Sequence, residues 1–385
     1  MGKKRISVAA ARHSYSNVPV WIPVDDFSIR ASDAVALRDL ATGRQIPAQL
    51  MMGSERQLLC WIIDDLRVGQ RREYDLLAGV QVPALSVALV DINSEKVEFR
   101  IAGELFTSYH YGGDIVRPFL YPVTGPGGKG VTRNYPMLED VPGETDDHKH
   151  HRSVWVAFGD INGADDWLEE EGCARIVHRE FLEKSGGPVF GRIRTLNDWV
   201  DDQGGKLMEE VRAITIYNLP EAGRIIDLSV VFRATEGDVR FGDTKEGGLA
   251  SVRVATSMDG DKGGLITNSF GGVTEAECWG KPAHWCDYSG SAGADGIVGI
   301  SIFDNPSNFR YPTRWHVRDY GLFTANPFAL SAYAGDPNVD GSYVVKSGEE
   351  FPFAYRLYLH DGDAKAANVA EQYHGYINTP SVEVK

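Results

Sequence analysis

Between residues 174 and 234 the chain runs through four long stretches of alternating or β-branched residues, Ala174 to Leu182, Val189 to Val200, Leu207 to Asn218 and Arg224 to Ala234. Only EKSGGP, DDQGGK and LPEAG separate them, connections of hairpin length rich in turn-forming residues. A side-chain period of two does not suit a helix, and links this short join antiparallel neighbours. The segment predicts a meander of long strands, which commits much of the remaining chain to covering a sheet.

Shorter runs of the same character recur at Ile6 to Ala11, Gln57 to Ile63, Glu73 to Leu77, Leu85 to Leu89, Lys96 to Ile101, Ser153 to Phe158 and Ile297 to Phe303. With 42 glycines and 18 prolines between them, the expected class is all-β, a sandwich or barrel. Asp363 to Ile377 alone has helical spacing, with Ala366, Val369, Ala370, Tyr373 and Ile377 on one face, and predicts a C-terminal packing helix. Most histidines and tryptophans follow Lys96. That asymmetry predicts a small N-terminal β domain over residues 1–92 and a catalytic domain over 93–385, with the boundary near 90–95.

A formal net charge of −15 repels phosphate backbones and anionic lipid heads, so no nucleic-acid partner is expected. No stretch approaches the roughly 18 to 20 apolar residues of a membrane span, so no membrane partner is expected either. The start MGKKRISVAAARHSYSN is basic, but its apolar run is too short for a secretory core. Cys60, Cys173, Cys278 and Cys286 lack CxxC spacing and are taken as reduced thiols, which makes the cytoplasm the expected compartment.

Chemistry concentrates in four segments. In GETDDHKHHRSVWVAFGDINGADDW every residue from Asp146 to Arg152 is ionisable. If a strand begins at His148, His148 and His150 share one face and His151 takes the other. Such a pair fits two chemistries: a metal site completed by a distant ligand such as His316, or metal-free acid–base work by imidazoles that titrate near ~6.5. The second segment, FGDTKEGGLASVRV, offers Asp243, Lys245 and Glu246 ahead of a double glycine, and Glu246 is the first choice for a catalytic carboxylate. The third, CWGKPAHWCDYSG, holds Trp279 and His284. The fourth, ending RYPTRWHVRDYGLFTANPF, holds Trp315, His316, Arg318, Asp319, Tyr320 and Asn326. Aromatic faces beside hydrogen-bonding side chains suit a sugar, and Trp155 and Asn162 of the first segment join that set. Arg152 and Arg318 are placed to meet developing negative charge, although an ordinary ion pair explains each equally well. There is no GxGxxG before a helix, no GxxxxGK[ST], no GxSxG and no HExxH, so nucleotide and serine-hydrolase chemistry lacks support.

The phrases DDHKHHRSVWVAFGDINGADDW, FGDTKEGGLASVRV, WGKPAHWCDYSG and NPSNFRYPTRWHVRDYGLFTANPF resemble a PmoA-like bacterial family, often labelled methane oxygenase PmoA, from about Arg117 to Phe328. The family's Asp-His-x-His-His stretch falls on Asp147, His148, His150 and His151, with Trp155 following. Its Gly-Asp-x-Asn-Gly-x-Asp stretch falls on Gly159, Asp160, Asn162, Gly163 and Asp165, and Trp167 closes the motif. Asp166 stands where Phe is usual, and Asn305 where a His is expected. The oxygenase label conflicts with the missing membrane span. What the resemblance implies instead is a β-supersandwich of the galactose mutarotase-like kind, whose members bind or convert carbohydrates.

The leading expectation is a carbohydrate-active lyase, hydrolase or epimerase working on a glycoside or keto sugar. In it His150 or His148 exchanges a proton, Glu246 or Asp319 is the partner base, His151 and His316 complete the catalytic set, and Arg152 and Arg318 hold charge. One alternative is a metal-dependent oxygenase or lyase, with a divalent ion on His148, His150 and His316. Another is a non-catalytic carbohydrate-binding protein. The expected partner is a small carbohydrate. A homo-oligomer stays open, since exposed aromatics also line interfaces.

Overall fold

A computed structural model describes residues 4–27, 29–30, 33–53, 56–220, 223–292 and 296–384. Among these residues two eight-stranded sheets, antiparallel throughout, lie face to face as a β-supersandwich, with smaller sheets formed chiefly by the N-terminal segment. The first large sheet is built on the expected meander: Arg175–Ser185, Phe190–Val200, Lys206–Tyr217 and Gly223–Arg233 are consecutive neighbours. Glu350–Asp361, Ile297–Asp304, Trp285–Ser291 and Leu265–Asn268 extend it. Glu221 and Ala222, in the third connection, lie outside the described residues.

The second large sheet has the order Trp315–Val317, Leu322–Ala325, Gly247–Arg253, Val154–Phe158, Phe119–Val123, Glu104–His110, Lys96–Ile101 and Val87–Ile92. Alternation sets its two faces. Val154, Val156 and Phe158 enter the sandwich core with Val252, Phe323 and Trp315, while Trp155 and Ala157 turn outward to join Phe119, Tyr121, Trp167 and Leu322. Each large apolar side chain so enclosed stabilises the fold by roughly 1.5–3 kcal/mol. Inside the sandwich Glu210 meets Arg212 at 2.6 Å and accepts the Trp199 indole N–H at 2.7 Å, so the buried charges satisfy one another.

The N-terminal strands form two further sheets around their own core. Ser381–Val384, at the far end of the chain, pairs with Arg5–Ala9 in one of them. The boundary drawn at 90–95 falls within a hairpin, because Val87–Ile92 pairs along its length with Lys96–Ile101.

Two local expectations are corrected. The C-terminal helix spans Val369–Ile377 rather than starting at Asp363, since Asn368 takes a left-handed φ of 52° and breaks the run. The strand expected from His148 begins only at Val154: His148 itself has φ 44°, and His151 N–H closes a turn onto the His148 carbonyl at 3.0 Å. Among the described residues no helix is long and apolar enough to cross a membrane.

Candidate active site

Register aligns one row of side chains across the outer face of the second sheet. Cα pairing runs His110 to Phe119, Phe119 to Trp155, Trp155 to Ser251, Ser251 to Thr324 and Thr324 to His316. The His110 ring stacks on Phe119 at 4.8 Å, and the Ser251 and Thr324 hydroxyls are 2.7 Å apart, as neighbours on one face must be. Segments 133–152 and 159–172 pass over this row and carry the histidine motif onto it.

Asp147 is the hub. One carboxylate oxygen takes Arg253 at 2.8 Å and a closer contact from Arg133, while the other accepts His148 Nδ1–H at 2.7 Å. Both guanidiniums are fully buried. Arg133 also donates to the His148 carbonyl at 2.9 Å, and Arg253 faces His151 Nδ1 at 3.1 Å. Burial alone would raise the Asp147 pKa, but Arg253, the His148 hydrogen bond and Arg133 outweigh it and hold the carboxyl below the usual range. An anionic carboxylate on Nδ1 fixes the tautomer and leaves His148 Nε2, on a half-exposed ring, free for proton exchange.

The three imidazoles converge instead of dividing between two faces. Trp155, His151, His148 and Tyr320 form a column of nearly parallel rings, with successive centroids 5.4, 4.8 and 4.9 Å apart. His150 stands edge-on to His151 at 4.5 Å. Burial, aided by Arg117, pushes His150 down to about 4, and burial, then His150 and Arg253, pushes His151 well below its ordinary value. Both are neutral rings at pH 7. Arg253 and Arg318 lie against Tyr320 at 5.0 and 5.3 Å, which holds the outermost ring in place.

A second arm comes from the turn before Gly247–Arg253. The Lys245 carbonyl accepts His316 Nδ1–H at 2.8 Å, and Lys245 Nζ contacts the Glu246 carboxylate. Burial lowers His316 to about 4, although the charge of Glu246 pulls the other way. Glu246 also acts electrostatically on His150, Tyr320 and Asp165. It therefore sits where the two arms meet. His316 Nε2, the indole N–H groups of Trp155 and Trp167, and Arg253 Nε are buried without hydrogen-bond partners around this place, as are several polar atoms elsewhere in the fold.

Other expected site residues are occupied differently. Arg152 spends Nε and Nη2 on Glu169, at 2.7 and 2.6 Å, and is a structural ion pair. Asn162 clamps the Arg240 N–H and the Asp238 carbonyl, Asp243 accepts the Ser331 and Gly341 N–H groups, and Asn326 donates to the Thr244 carbonyl, so these three shape loops. Trp315 points into the sandwich and bonds the Ala283 carbonyl at 3.0 Å. Trp155 is only 1% exposed and floors the ring column instead of touching solvent. Trp279 packs edge-on to Tyr333, and His284 bonds Tyr311 at 2.7 Å in an aromatic cluster with Tyr373 of the C-terminal helix. The Asp319 carboxylate lies against Gly260, and Arg318 pairs with Glu275 at 2.9 Å. Among the described residues no group of three or more His, Cys, Asp or Glu side chains, that of His148, His150 and His316 included, is gathered closely enough to hold an ion.

Sequence reasoning passed over Arg133, Arg253 and Arg117. Arg117 is fully buried, bonds Glu169 at 2.7 Å and the His150 carbonyl at 3.1 Å, and also takes the Trp167 carbonyl at 2.7 Å, fastening both loops to the sheet. The signal was present for Arg253: an arginine at the end of the apolar stretch GGLASVR needs a counter-charge if the strand is buried.

No curated protein matches the chain. Among solved structures, a protein in glycosyl hydrolase family 38 from Enterococcus faecalis is similar at 11% identity, over 100% of this chain and 47% of that one, with a TM-score of 0.44. A GH36 alpha-galactosidase from Geobacillus stearothermophilus in complex with raffinose matches at 12% identity over 68% of this chain and 40% of its own, TM-score 0.32. A galactose 1-epimerase from Lactobacillus acidophilus NCFM matches at 8% identity over 72% of this chain and all of its own, TM-score 0.32. The chain thus spans less than half the length of the first two structures. Residues 96–374, which include every residue of both arms, match a family whose description carries neither an activity nor the PmoA-like name. The chain belongs to the family of unknown function DUF6807.

Proposed function

We propose that the protein is a carbohydrate-active enzyme that cleaves or isomerises a glycoside or keto sugar by acid–base chemistry, with His148 as the proton-exchanging group. The observation that carries this reading is the Asp147–His148 pair, a carboxylate 2.7 Å from Nδ1 and itself pinned by two buried arginines. Base and orienter are thereby preorganised, which is what proton transfer requires. Glu246, within electrostatic reach of His150 and His316, is the partner carboxylate. Neutral His150 serves as a hydrogen-bond partner of a sugar oxygen, and Tyr320 as the apolar platform for a ring face. A proton next to a carbonyl is the easiest for an imidazole to abstract, because the enolate formed is stabilised, so keto-glycosides lead the substrate class.

The test is turnover of a panel of glycosides and their keto derivatives by the full chain, followed by NMR of the products. Cleavage or epimerisation of a panel member supports the reading. Saturable sugar binding without turnover replaces it with the carbohydrate-binding protein.

A further inference from the structure

The guanidinium of Arg253 is engaged at its two terminal nitrogens and open at the third. Nη2 donates to Asp147 at 2.8 Å and Nη1 faces His151 Nδ1 at 3.1 Å, while Nε is buried with no partner. Asp259 stands on that third side, 2% exposed, and its Oδ1 is likewise buried without a partner. Gly321 separates them. A Cβ built there would lie 2.2 Å from Asp259 Oδ1 and 3.3 Å from Arg253 Nε, so the two orphaned atoms are at most 5.5 Å apart, the sum of those distances. The glycine has φ +94°, and any side chain at this position would push the carboxyl away from the guanidinium.

The turn that carries Asp259 is tied to the site from behind. Gly260 N–H bonds the Asp319 carbonyl at 2.6 Å and the Tyr288 hydroxyl at 2.8 Å, and Asp319 adjoins Tyr320 of the ring column. The charged and titratable groups that face Asp259 are Arg253 on its strand, Arg133 and Asp147 on the covering segment, Asp261 on its own turn, Tyr288 from the opposite sheet and Asp319. Arg253 is the strongest attraction among them.

We propose that Asp259 is a positioning residue for His148, acting through Arg253: it competes with Asp147 for the guanidinium, and its ionisation sets the charge that the His148 imidazole feels. The role in catalysis rests on the proposed function above, whereas the coupling itself does not. With Asp259 neutral, Arg253 belongs to Asp147 and His151. With Asp259 ionised, a second carboxylate draws on the same cation and the net charge around His148 becomes more negative, favouring imidazolium. Burial brings the Asp259 carboxyl up to about 7, so both states are populated over the range in which an imidazole titrates.

The experiment is an NMR pH titration of the histidine Cε1–H signals and the aspartate carboxyl carbons in the full chain without substrate. Asp259→Asn should lower the His148 midpoint by about half a pH unit, and Asp259→Glu should restore it. In the unmodified protein the His148 signal should show a second inflection that coincides with the Asp259 carboxyl carbon. An unchanged midpoint in Asp259→Asn overturns the proposal. If that variant does not fold, a single His148 inflection in the unmodified protein overturns it equally. Unimpaired turnover in His148→Ala would instead defeat the functional reading and leave these titrations untouched.

Discussion

The imidazoles of His148 and His151 lie parallel, 2° and 4.8 Å apart, although one is half-exposed on a carboxylate and the other is 1% exposed beside an arginine. The turn between them, with His148 at φ 44°, is what lets residues three apart share a stack. Asp147 holds the outer ring and Arg253 the inner one, so the pair divides into an accessible ring and a buried support.

Asp147→Asn should strike both parts. It removes the anion that orients His148 and leaves Arg133 and Arg253 without their common carboxylate. Turnover should fall by roughly 10²–10⁴-fold, and a urea midpoint series should show a loss of about 2 kcal/mol. A variant of unchanged stability would contradict the hub.

Arg117→Met tests the anchor of the covering loops. Glu169 keeps Arg152, but the Trp167 and His150 carbonyls lose a buried donor, so about 3–5 kcal/mol should be lost. Hydrogen exchange should accelerate first in residues 146–152 and 159–169. Arg152→Ala, which loses one side of the Glu169 pair, should cost less.

The buried histidines give the fold an acid limb. His150 and His316 are lowered to about 4, below the ordinary ~6.5, so the unfolded chain takes up protons first on acidification. Their contribution is present above about 6.5 and is lost as pH falls toward 4. Asp259, raised to about 7, has the opposite sign: its contribution is complete below the ordinary carboxylate value and is lost as pH rises through 7. His316→Gln should flatten the acid limb by on the order of 2 kcal/mol, read as denaturant midpoints from pH 4 to 7. Superimposable curves would contradict the burial of a neutral ring.

Gly321→Ala should destabilise by about 2 kcal/mol or more, because the backbone is left-handed and the new methyl meets Asp259 Oδ1 at 2.2 Å. Thermal unfolding checks it, with Gly43→Ala, also left-handed but with open space around its Cβ, as the comparison.

The meander was legible because a period of two and three short turns leave few alternatives, and its four strands start and stop within about three residues of the expected positions. The histidine motif was legible as chemistry from its density alone. Its geometry was not, since assigning His148–His151 to a strand imposes alternation, and only the φ of His148 shows the turn. Arg152 looked like an anion binder because its partner, Glu169, is seventeen residues away in sequence and close only in the fold. The tryptophans misled for a related reason: Trp155 and Trp315 both sit on strands of the second sheet, but on opposite faces, and sequence clustering carries no facing.

The central claim, the proposal that His148 exchanges the proton, is tested most directly by turnover of His148→Ala against the unmodified protein on the substrate found in the panel, with His284→Ala as the control from the separate aromatic cluster. The account predicts at least about a 100-fold loss in kcat for His148→Ala and near-normal turnover for His284→Ala. Turnover by a folded His148→Ala protein within a few-fold of the unmodified protein would contradict it.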